Sequence, residues 1–218
     1  LTTDRNGSAS KAYNFDGSSG KILVNEDNLD IFGSQEASTI SFWINPNSFT
    51  APVNGIITKG FHSENNGAVG NTYLEIQVAP NKELRYTLYD KTTLNSFTTK
   101  SNVLKENAWQ HVVIIRDAVG SIFVNGVDVT KYESANNAGW SVNYNTVLSD
   151  KGISLGAMQF RETINSPYHQ HHWDGELDEI RFYNRALNAA EVARLHNLEL
   201  PPAPTITAHP VDTNATIG

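Results

Sequence analysis

The sequence is most constrained by a series of short runs rich in β-branched and aromatic residues, each bounded by turn residues. Residues 39–44 show the pattern most clearly, because apolar and polar side chains alternate there with the period of a strand. Runs of similar composition lie at residues 22–24, 73–78, 84–89, 109–116, 121–124, 127–129 and 153–157. Roughly a dozen short strands with frequent turns are typical of an antiparallel sandwich or barrel.

Two short connections predict hairpins between neighbouring strands. Residues 79–83 join two of the runs and contain proline and asparagine, which favour turns. Asn125 and Gly126 separate two further runs, and this pair favours the two positive φ values of a type I′ turn. The pairing is therefore predicted to be antiparallel.

Residues 175–183 predict a last strand, and strict alternation divides its side chains between two faces. One face holds Leu177, Glu179, Arg181 and Tyr183, and the other holds Glu176, Asp178, Ile180 and Phe182.

A short helix is predicted directly after this strand, over residues 188–195. Asn188 and Glu191 have the spacing of a capping box, and Leu187 with Val192 has the spacing of a hydrophobic staple.

Composition excludes several classes of protein. The 218 residues carry a formal charge of −7, which argues against binding to nucleic acid or to anionic membranes. No apolar run approaches the roughly 18 residues of a membrane span. There are no cysteines, which excludes disulfides and thiol chemistry.

The last eighteen residues differ in character from the rest. Pro201, Pro202 and Pro204 predict a stiff linker, because proline fixes φ and favours polyproline II. The strand-like pattern that follows is too short to bury a core, and it resembles the start of an immunoglobulin-like domain. We therefore expect one domain over residues 1–200 and a linker with a truncated second domain over residues 201–218.

Four motifs, taken in order, resemble the laminin-G-like domains of the concanavalin-A-like lectin/glucanase superfamily. They are residues 12–17 with strand 22–24, residues 39–46 with Trp43 and Pro46, residues 109–113 with 123–126, and the closing segment 175–185. The resemblance implies an all-β fold, a two-sheet antiparallel jelly-roll sandwich with a short C-terminal helix. Within the third motif, His111 is predicted to be a hydrogen-bonded packing residue.

The resemblance also implies a structural calcium ion. An aspartate in the last strand of superfamily relatives often binds calcium, with help from the N-terminal turn, and the matching residues here are Asp178 and Asp16. Calcium takes six to eight oxygen ligands, and such an ion would join the first and last strands. Two simpler interpretations stay open: Asp16 as an Asx-turn residue before glycine, and Asp178 in a salt bridge with a nearby arginine.

The sequence argues against catalysis. Glycosidases of the superfamily carry three acids on one strand face, and Glu176 and Asp178 match the first two. Ile180 and Arg181 stand where the third acid is needed, and Glu179 is predicted to face the opposite way. The strand at residues 73–78 does not carry the three acids of a glycosidase either, because Gln77 stands where an acid is needed.

Candidate ligand-binding residues lie in two predicted loops. Trp140 and Tyr144 belong to the polar stretch 131–150, and Tyr168, His169 and His171 belong to a loop before the last strand. Aromatic rings stack on sugar faces while histidine bonds hydroxyl groups, so these residues predict a glycan site at the loops or on a concave sheet. Polar loop packing and a zinc site at His169 and His171 are the alternatives.

Together these features predict a non-catalytic module that binds a carbohydrate or a cell-surface ligand. We expect it to be part of a larger secreted or surface-anchored bacterial protein. The alternatives are a structural spacer beside a catalytic domain, and a glycosidase or polysaccharide lyase.

Overall fold

A computed structural model describes residues 1–24, 37–51, 53–60, 72–90, 94–131, 152–163 and 166–199. These residues form fifteen strands and one helix. In chain order they are β1 (Tyr13–Asp16), β2 (Ile22–Val24), β3 (Ser38–Pro46), β4 (Asn54–Gly60), β5 (Thr72–Val78), β6 (Leu84–Asp90), β7 (Leu94–Thr99), β8 (Gln110–Arg116), β9 (Ser121–Val124), β10 (Val127–Asp128), β11 (Thr130–Lys131), β12 (Ile153–Leu155), β13 (Met158–Thr163), β14 (Ser166–Gln170), β15 (Asp174–Tyr183) and α1 (Ala189–Glu199).

Two antiparallel sheets form the sandwich that the sequence predicts. The six-stranded sheet has the order β1-β15-β3-β8-β9-β10, and the seven-stranded sheet has the order β11-β7-β6-β5-β4-β12-β2. Strands β13 and β14 pair with each other as a separate hairpin. The last strand, β15, therefore lies between β1 and β3, and the ends of the domain are joined by backbone hydrogen bonds.

The core lies between the two sheets and follows the predicted alternation. On β3, Ile40, Phe42 and Ile44 are buried in this core, while Ser41 and Trp43 face the other side of the sheet. The facing sheet contributes inward side chains such as Leu74 and Ile76. At roughly 25 cal/mol per Å² of apolar surface, burial of these residues is the main stabilising term.

The predicted hairpin turns are confirmed. Strands β5 and β6 pair across residues 79–83, and β9 pairs with β10 across Asn125 and Gly126. Asn125 has φ 50° and Gly126 has φ 77°, the two positive values that a type I′ turn requires.

Strict alternation along β15 is wrong beyond Asp178. Asp178 pairs with Trp43, but Arg181 pairs with Ser41, so β15 has one more residue than β3 in this interval. The extra residue makes a β-bulge, and Glu179 adopts φ 49° there. The bulge reverses the inward side of the strand, because Leu177 faces the core before it and Ile180 and Phe182 face the core after it.

Glu179 is exposed at this bulge and pairs with Arg181 instead of pointing away from Glu176 and Asp178. The predicted division into two faces therefore holds only for the first half of the strand.

The capped helix is confirmed, and it packs on the outer face of the six-stranded sheet. Asn188 Oδ1 accepts from the Glu191 backbone N–H at 2.9 Å, and Glu191 Oε2 accepts from the Asn188 N–H at 2.9 Å. A second apolar cluster joins the helix to β8 and β9. It consists of Val113, Ile115, Phe123, Leu187 and Val192.

Beside this apolar cluster, the rings of Trp43 and His111 on the sheet contact the ring of His196 on the helix. The Trp43 ring centroid lies 5.1 Å from that of His111 and 5.8 Å from that of His196, and the two imidazoles are 5.7 Å apart. His111 is fully buried, and its Nε2 lies 2.8 Å from Ser41 Oγ. This confirms His111 as a hydrogen-bonded packing residue.

The N-terminal segment also contacts Trp43, through the side chain of Arg5. The Arg5 guanidinium lies 4.9 Å from the centroid of the Trp43 ring and 2.9 Å from Asp178 Oδ2. Trp43 therefore contacts the N-terminal segment, a central strand and the C-terminal helix at once.

Mild acid is expected to destabilise the domain through His111. Burial, with the positive charges of His196, Arg181 and Arg5, lowers the pKa of His111 to about 3. The unfolded chain, with an ordinary pKa of 6.5, then binds a proton that the folded chain does not, so stability is lost as pH falls below 6.5. Between pH 6.5 and 5 we expect a loss of about 2 kcal/mol, or about 4–8 °C in Tm.

Thermal unfolding of His111→Asn and His172→Asn checks this expectation. His111→Asn should have a lower melting temperature than wild type at pH 7. Its melting temperature should fall less than that of wild type between pH 7 and 5, because the titrating ring is gone. His172→Asn, which removes a partly exposed imidazole elsewhere, should keep the full dependence. Equal pH dependence in wild type and His111→Asn would contradict the assignment.

Candidate functional site

The structure describes only part of the predicted aromatic site. Trp140 and Tyr144 lie outside the described residues. Tyr168 and His169 belong to strand β14, so the prediction of a loop is wrong for residues 166–170, which pair with β13. The period of a strand was hidden there by Pro167 and by the polar composition.

The end of the same segment turns into the core. His171 has φ 51° and is partly exposed, and its carbonyl accepts from the Gly55 N–H at 2.7 Å. Trp173 is fully buried between the sheets, so its ring is a core residue and is not placed to stack on a ligand. The predicted residues Tyr168, His169 and His171 are therefore divided between a hairpin and a turn, and the segment then enters the core at Trp173.

Asp16 forms the Asx turn that was one interpretation of the sequence. Its Oδ1 accepts from the backbone N–H groups of Ser18, Ser19 and Gly20 at 2.9, 2.9 and 3.2 Å. These donors, that of Ser19 above all, hold the pKa of Asp16 well below its usual range.

Asp178 forms the salt bridge that was the other interpretation. Its Oδ2 pairs with Arg5, and its Oδ1 accepts from the Glu179 N–H at 2.8 Å. Burial raises the pKa of Asp178, while the Arg5 charge and the bond from Glu179 oppose this rise.

The structure does not bring Asp16 and Asp178 together. Asp16 pairs with Asp174, which lies four residues before Asp178 on β15. At the rise of a strand, the backbone positions of Asp174 and Asp178 are roughly 13 Å apart. Both carboxylates already have protein partners, and within the described ranges no group of three or more His, Cys, Asp or Glu side chains is placed to hold a metal ion. As placed, the two residues do not form one calcium site, and calcium stays a prediction.

The two acids that match a glycosidase motif face the outer side of the six-stranded sheet. Glu176 accepts from Thr2 Oγ1 at 3.1 Å and from Asn45 Nδ2 at 2.8 Å, and Asp178 pairs with Arg5. Both carboxylates are thus engaged by neighbouring protein groups, in part by the N-terminal segment.

A polar row crosses the outer face of the seven-stranded sheet. Direct cross-strand pairing aligns five side chains on β12, β4, β5, β6 and β7, and these lie between inward-facing core positions. The row is Ser154, Thr58, Glu75, Thr87 and Ser96. Exposure rises along it, because Ser154 and Thr58 are fully buried, Glu75 and Thr87 are nearly buried and Ser96 is exposed.

The buried end of the row is covered by the segment that leads into the β13–β14 hairpin. Thr58 Oγ1 donates to the Ala157 carbonyl at 3.4 Å, just before β13. At the base of the hairpin, a Cβ on Gly55 would lie only 2.5 Å from Met158 Cγ, so glycine is needed for this close approach. The hairpin that carries Tyr168 and His169 is therefore anchored beside the polar row.

Two groups in this row are buried without a partner among the described residues. They are Glu75 Oε1 and Ser154 Oγ. Buried polar groups are nearly always hydrogen-bonded, so such groups are candidates for contact with a ligand or with water. Burial raises the pKa of Glu75 to about 8, so its carboxyl is neutral at pH 7 and presents an O–H donor.

Sequence reasoning did not identify Glu75 as a site residue. The strand shows Glu75 between the apolar Leu74 and Ile76, which correctly indicates the outward face of a strand. The missing signal is its burial, because a position on the outward face of a strand is expected to be exposed, whereas Glu75 is 3% exposed.

The row presents hydroxyl groups and one neutral carboxyl group. Such groups both donate and accept hydrogen bonds, as the hydroxyls of a saccharide do. The arrangement holds no pair of ionised carboxylates for glycosidic cleavage, since Glu75 is the only acid among its five members.

The two antiparallel sheets, the capped terminal helix and this polar face define a lectin-like β-sandwich. The chain belongs to the Laminin_G_3 family of the concanavalin A-like lectin/glucanases superfamily, whose family model matches residues 16–193. It is also 25% identical over 165 residues to adhesion G-protein coupled receptor V1 of Danio rerio, which covers 73% of this chain. The chain spans 2% of that receptor's length.

Solved structures share the fold at low sequence identity. The CBM40 of the Ruminococcus gnavus IT-sialidase superposes with a TM-score of 0.62 at 12% identity, covering 86% of this chain and 97% of that one. The same module bound to α2,3-sialyllactose gives a TM-score of 0.60 at 12% identity, over 85% and 97% of the two chains. A SAP-like pentraxin of Limulus polyphemus gives 0.53 at 15% identity, over 88% and 83%.

Helix α1 does not have the length or the apolar character to cross a membrane, and no other helix occurs in the described part of the chain.

Replacing Glu75 by glutamine is expected to stabilise the domain at alkaline pH. The pKa of Glu75 is about 8 when folded and about 4.5 when unfolded, so the stability that the neutral carboxyl contributes is fully present below pH 4.5. It is lost as pH rises to 8, and an amide cannot ionise. The two pKa values differ by about 3.5, which corresponds to about 5 kcal/mol, so we expect Glu75→Gln to melt roughly 10–20 °C above wild type at pH 8.5 and close to it at pH 4.5.

Thermal melts from pH 4.5 to 8.5 measure this difference. Glu106→Gln, at an exposed acid outside the row, should follow wild type throughout. A constant offset between Glu75→Gln and wild type would show that Glu75 does not titrate as described.

Proposed function

We propose that this chain is a non-catalytic carbohydrate-binding module. The observation that carries the proposal is the polar row on the outer face of the seven-stranded sheet, with two buried groups that have no described protein partner. The sialyllactose complex of the structurally similar Ruminococcus module supports a saccharide as the kind of ligand. The exposed end of the row, at Ser96, would give a ligand access.

The proposed module includes the ligand-binding residues predicted from the sequence and is part of a larger protein. The proposed ligand-binding residues are Tyr168, His169 and His171, together with Trp140 and Tyr144. The module would belong to a larger secreted or cell-surface bacterial protein, with residues 201–218 as a linker to an immunoglobulin-like domain. The similarity to an adhesion receptor supports this extracellular context.

Screening on a glycan array, followed by calorimetric titration of each hit, tests the function. Removal of one row hydroxyl by Thr87→Val should weaken binding about tenfold, because a hydrogen bond to the ligand is lost. Tyr168→Ala should weaken it similarly through lost stacking, while Tyr13→Ala, at an exposed ring on the edge strand β1 of the other sheet, should not.

The alternative functions give different results. A chain that binds no glycan on the array would contradict the proposal and favour a structural spacer. Release of reducing ends from a polysaccharide would establish an enzyme instead.

Calcium is tested separately by thermal melting in calcium and in EDTA. A structural ion at the N-terminal turn should raise Tm by several degrees in calcium, and Asp16→Asn should remove this difference. Asp4→Asn removes a partly exposed carboxylate in the N-terminal segment that accepts from the backbone N–H groups of Asn6 and Ser8, and it serves as the matched control. Equal melting temperatures in calcium and EDTA would rule out a stabilising calcium ion.

A further inference from the structure

Glu75 and its surroundings on the seven-stranded sheet indicate the chemical class of the ligand. Glu75 is 3% exposed, and its direct neighbours across the sheet are Thr58 and Thr87, neither of which carries a charge. Its Oε1 accepts no hydrogen bond from the described residues. Within the described part of the chain, the buried carboxyl therefore has no hydrogen bond at Oε1 and no charged residue directly across the sheet on either side.

Arg85 on β6 provides a positive charge on the same outer face of the seven-stranded sheet as Glu75. Arg85 pairs with Gln77, two residues from Glu75 on β5, so Arg85 and Glu75 are diagonal neighbours on β6 and β5. Such diagonal positions are about 7–8 Å apart, which is within reach of a long side chain. Arg85 is exposed and forms no hydrogen bond or ion pair with any residue that the structure describes.

The charges around Glu75 determine which ligand groups fit. Burial raises the pKa of Glu75 to about 8, so at pH 7 the face combines a neutral acid with an unpaired guanidinium. The other titratable residues on the strands and hairpin around it are Lys59 on β4, Tyr73 on β5, Tyr86, Tyr89 and Asp90 on β6, and Arg161, Glu162, Tyr168 and His169 on β13 and β14. Lys59 and Tyr86 are buried.

We propose that this face binds an acidic saccharide, whose carboxylate accepts a hydrogen bond from the Glu75 carboxyl group and pairs with the Arg85 guanidinium. This inference rests on the proposed carbohydrate-binding function. A neutral carboxyl group and a guanidinium are both donors, and O–H···O⁻ and N⁺–H···O⁻ hydrogen bonds are stronger than those between neutral groups. An ionised Glu75 would repel the same ligand, so binding depends on the proton.

Calorimetric titration with three probes at pH 7 and pH 9.5 tests the inference. The probes are 3′-sialyllactose, digalacturonate and uncharged lactose, so that two sources of a sugar carboxylate are compared with a neutral sugar. At least one acidic probe should bind at pH 7. Its affinity should fall at least about tenfold at pH 9.5, where Glu75 is ionised.

Two variants separate the contributions of the two side chains. Glu75→Gln keeps a neutral donor, so it should bind the acidic probe within about threefold of wild type at pH 7 and lose the pH dependence. Arg85→Gln should lower the affinity for the acidic probe about tenfold or more and leave the affinity for lactose unchanged. Arg194→Gln, at an exposed cation on helix α1, is the matched control and should bind as wild type does.

The outcomes distinguish this inference from the proposed function. Binding of lactose or another neutral glycan without binding of the acidic probes would overturn the acidic-ligand inference and leave the proposed function in place. Acidic binding that is equal at both pH values, or that Arg85→Gln leaves unchanged, would also overturn the inference. Absence of binding to any glycan would overturn both. Because Arg85 is exposed, its variant is expected to fold, and an unchanged melting temperature verifies this.

Discussion

The fold depends on the position of β15 between β1 and β3. This strand pairs the last part of the sandwich with its first strand and with the central strand of the same sheet. Its bulge at Glu179 directs Leu177, Ile180 and Phe182 into the core, although they do not follow a single alternation. The same bulge leaves Asp178 and Arg181 on the outer face, where Asp178 receives Arg5.

The two outer faces of the sandwich differ in how their polar groups are used. On the six-stranded sheet, helix α1 and the N-terminal segment cover Trp43 and His111, and the charged group of Asp178 has an arginine partner. On the seven-stranded sheet, Glu75 and Ser154 are buried with atoms that lack described partners. Buried polar atoms without a hydrogen bond occur on the first face as well, where Asn45 Oδ1 is an example. We place the proposed function on the second face because its polar side chains align in one row across five strands.

Local patterns in the sequence were sufficient for the strands, the type I′ turn and the capping box, because each depends on residues close together in the chain. The bulge depends on register with β3, although the switch of apolar residues from Leu177 to Ile180 and Phe182 was a sign of it. The candidate site could not be predicted as well. Alternation places Glu75 on the outward face of its strand but does not indicate that it is buried there. His169 and His171 were predicted to share one loop, but they lie in a strand and in a turn with positive φ, a division set by pairing with β13.

The pairing of β1 with β15 also has a consequence for how the chain reaches its folded state. Tyr13 is aligned with Leu177, so the sheet closes only when residues more than 160 positions apart in sequence meet. Contacts of such long range slow the search for the native topology, because the entropy of closing a long loop is lost before the contact stabilises it. During synthesis, β1 and β3 must wait for the final strand to leave the ribosome. Their unpaired edges are exposed to other chains for that time, which makes prompt synthesis of the last quarter important for avoiding aggregation.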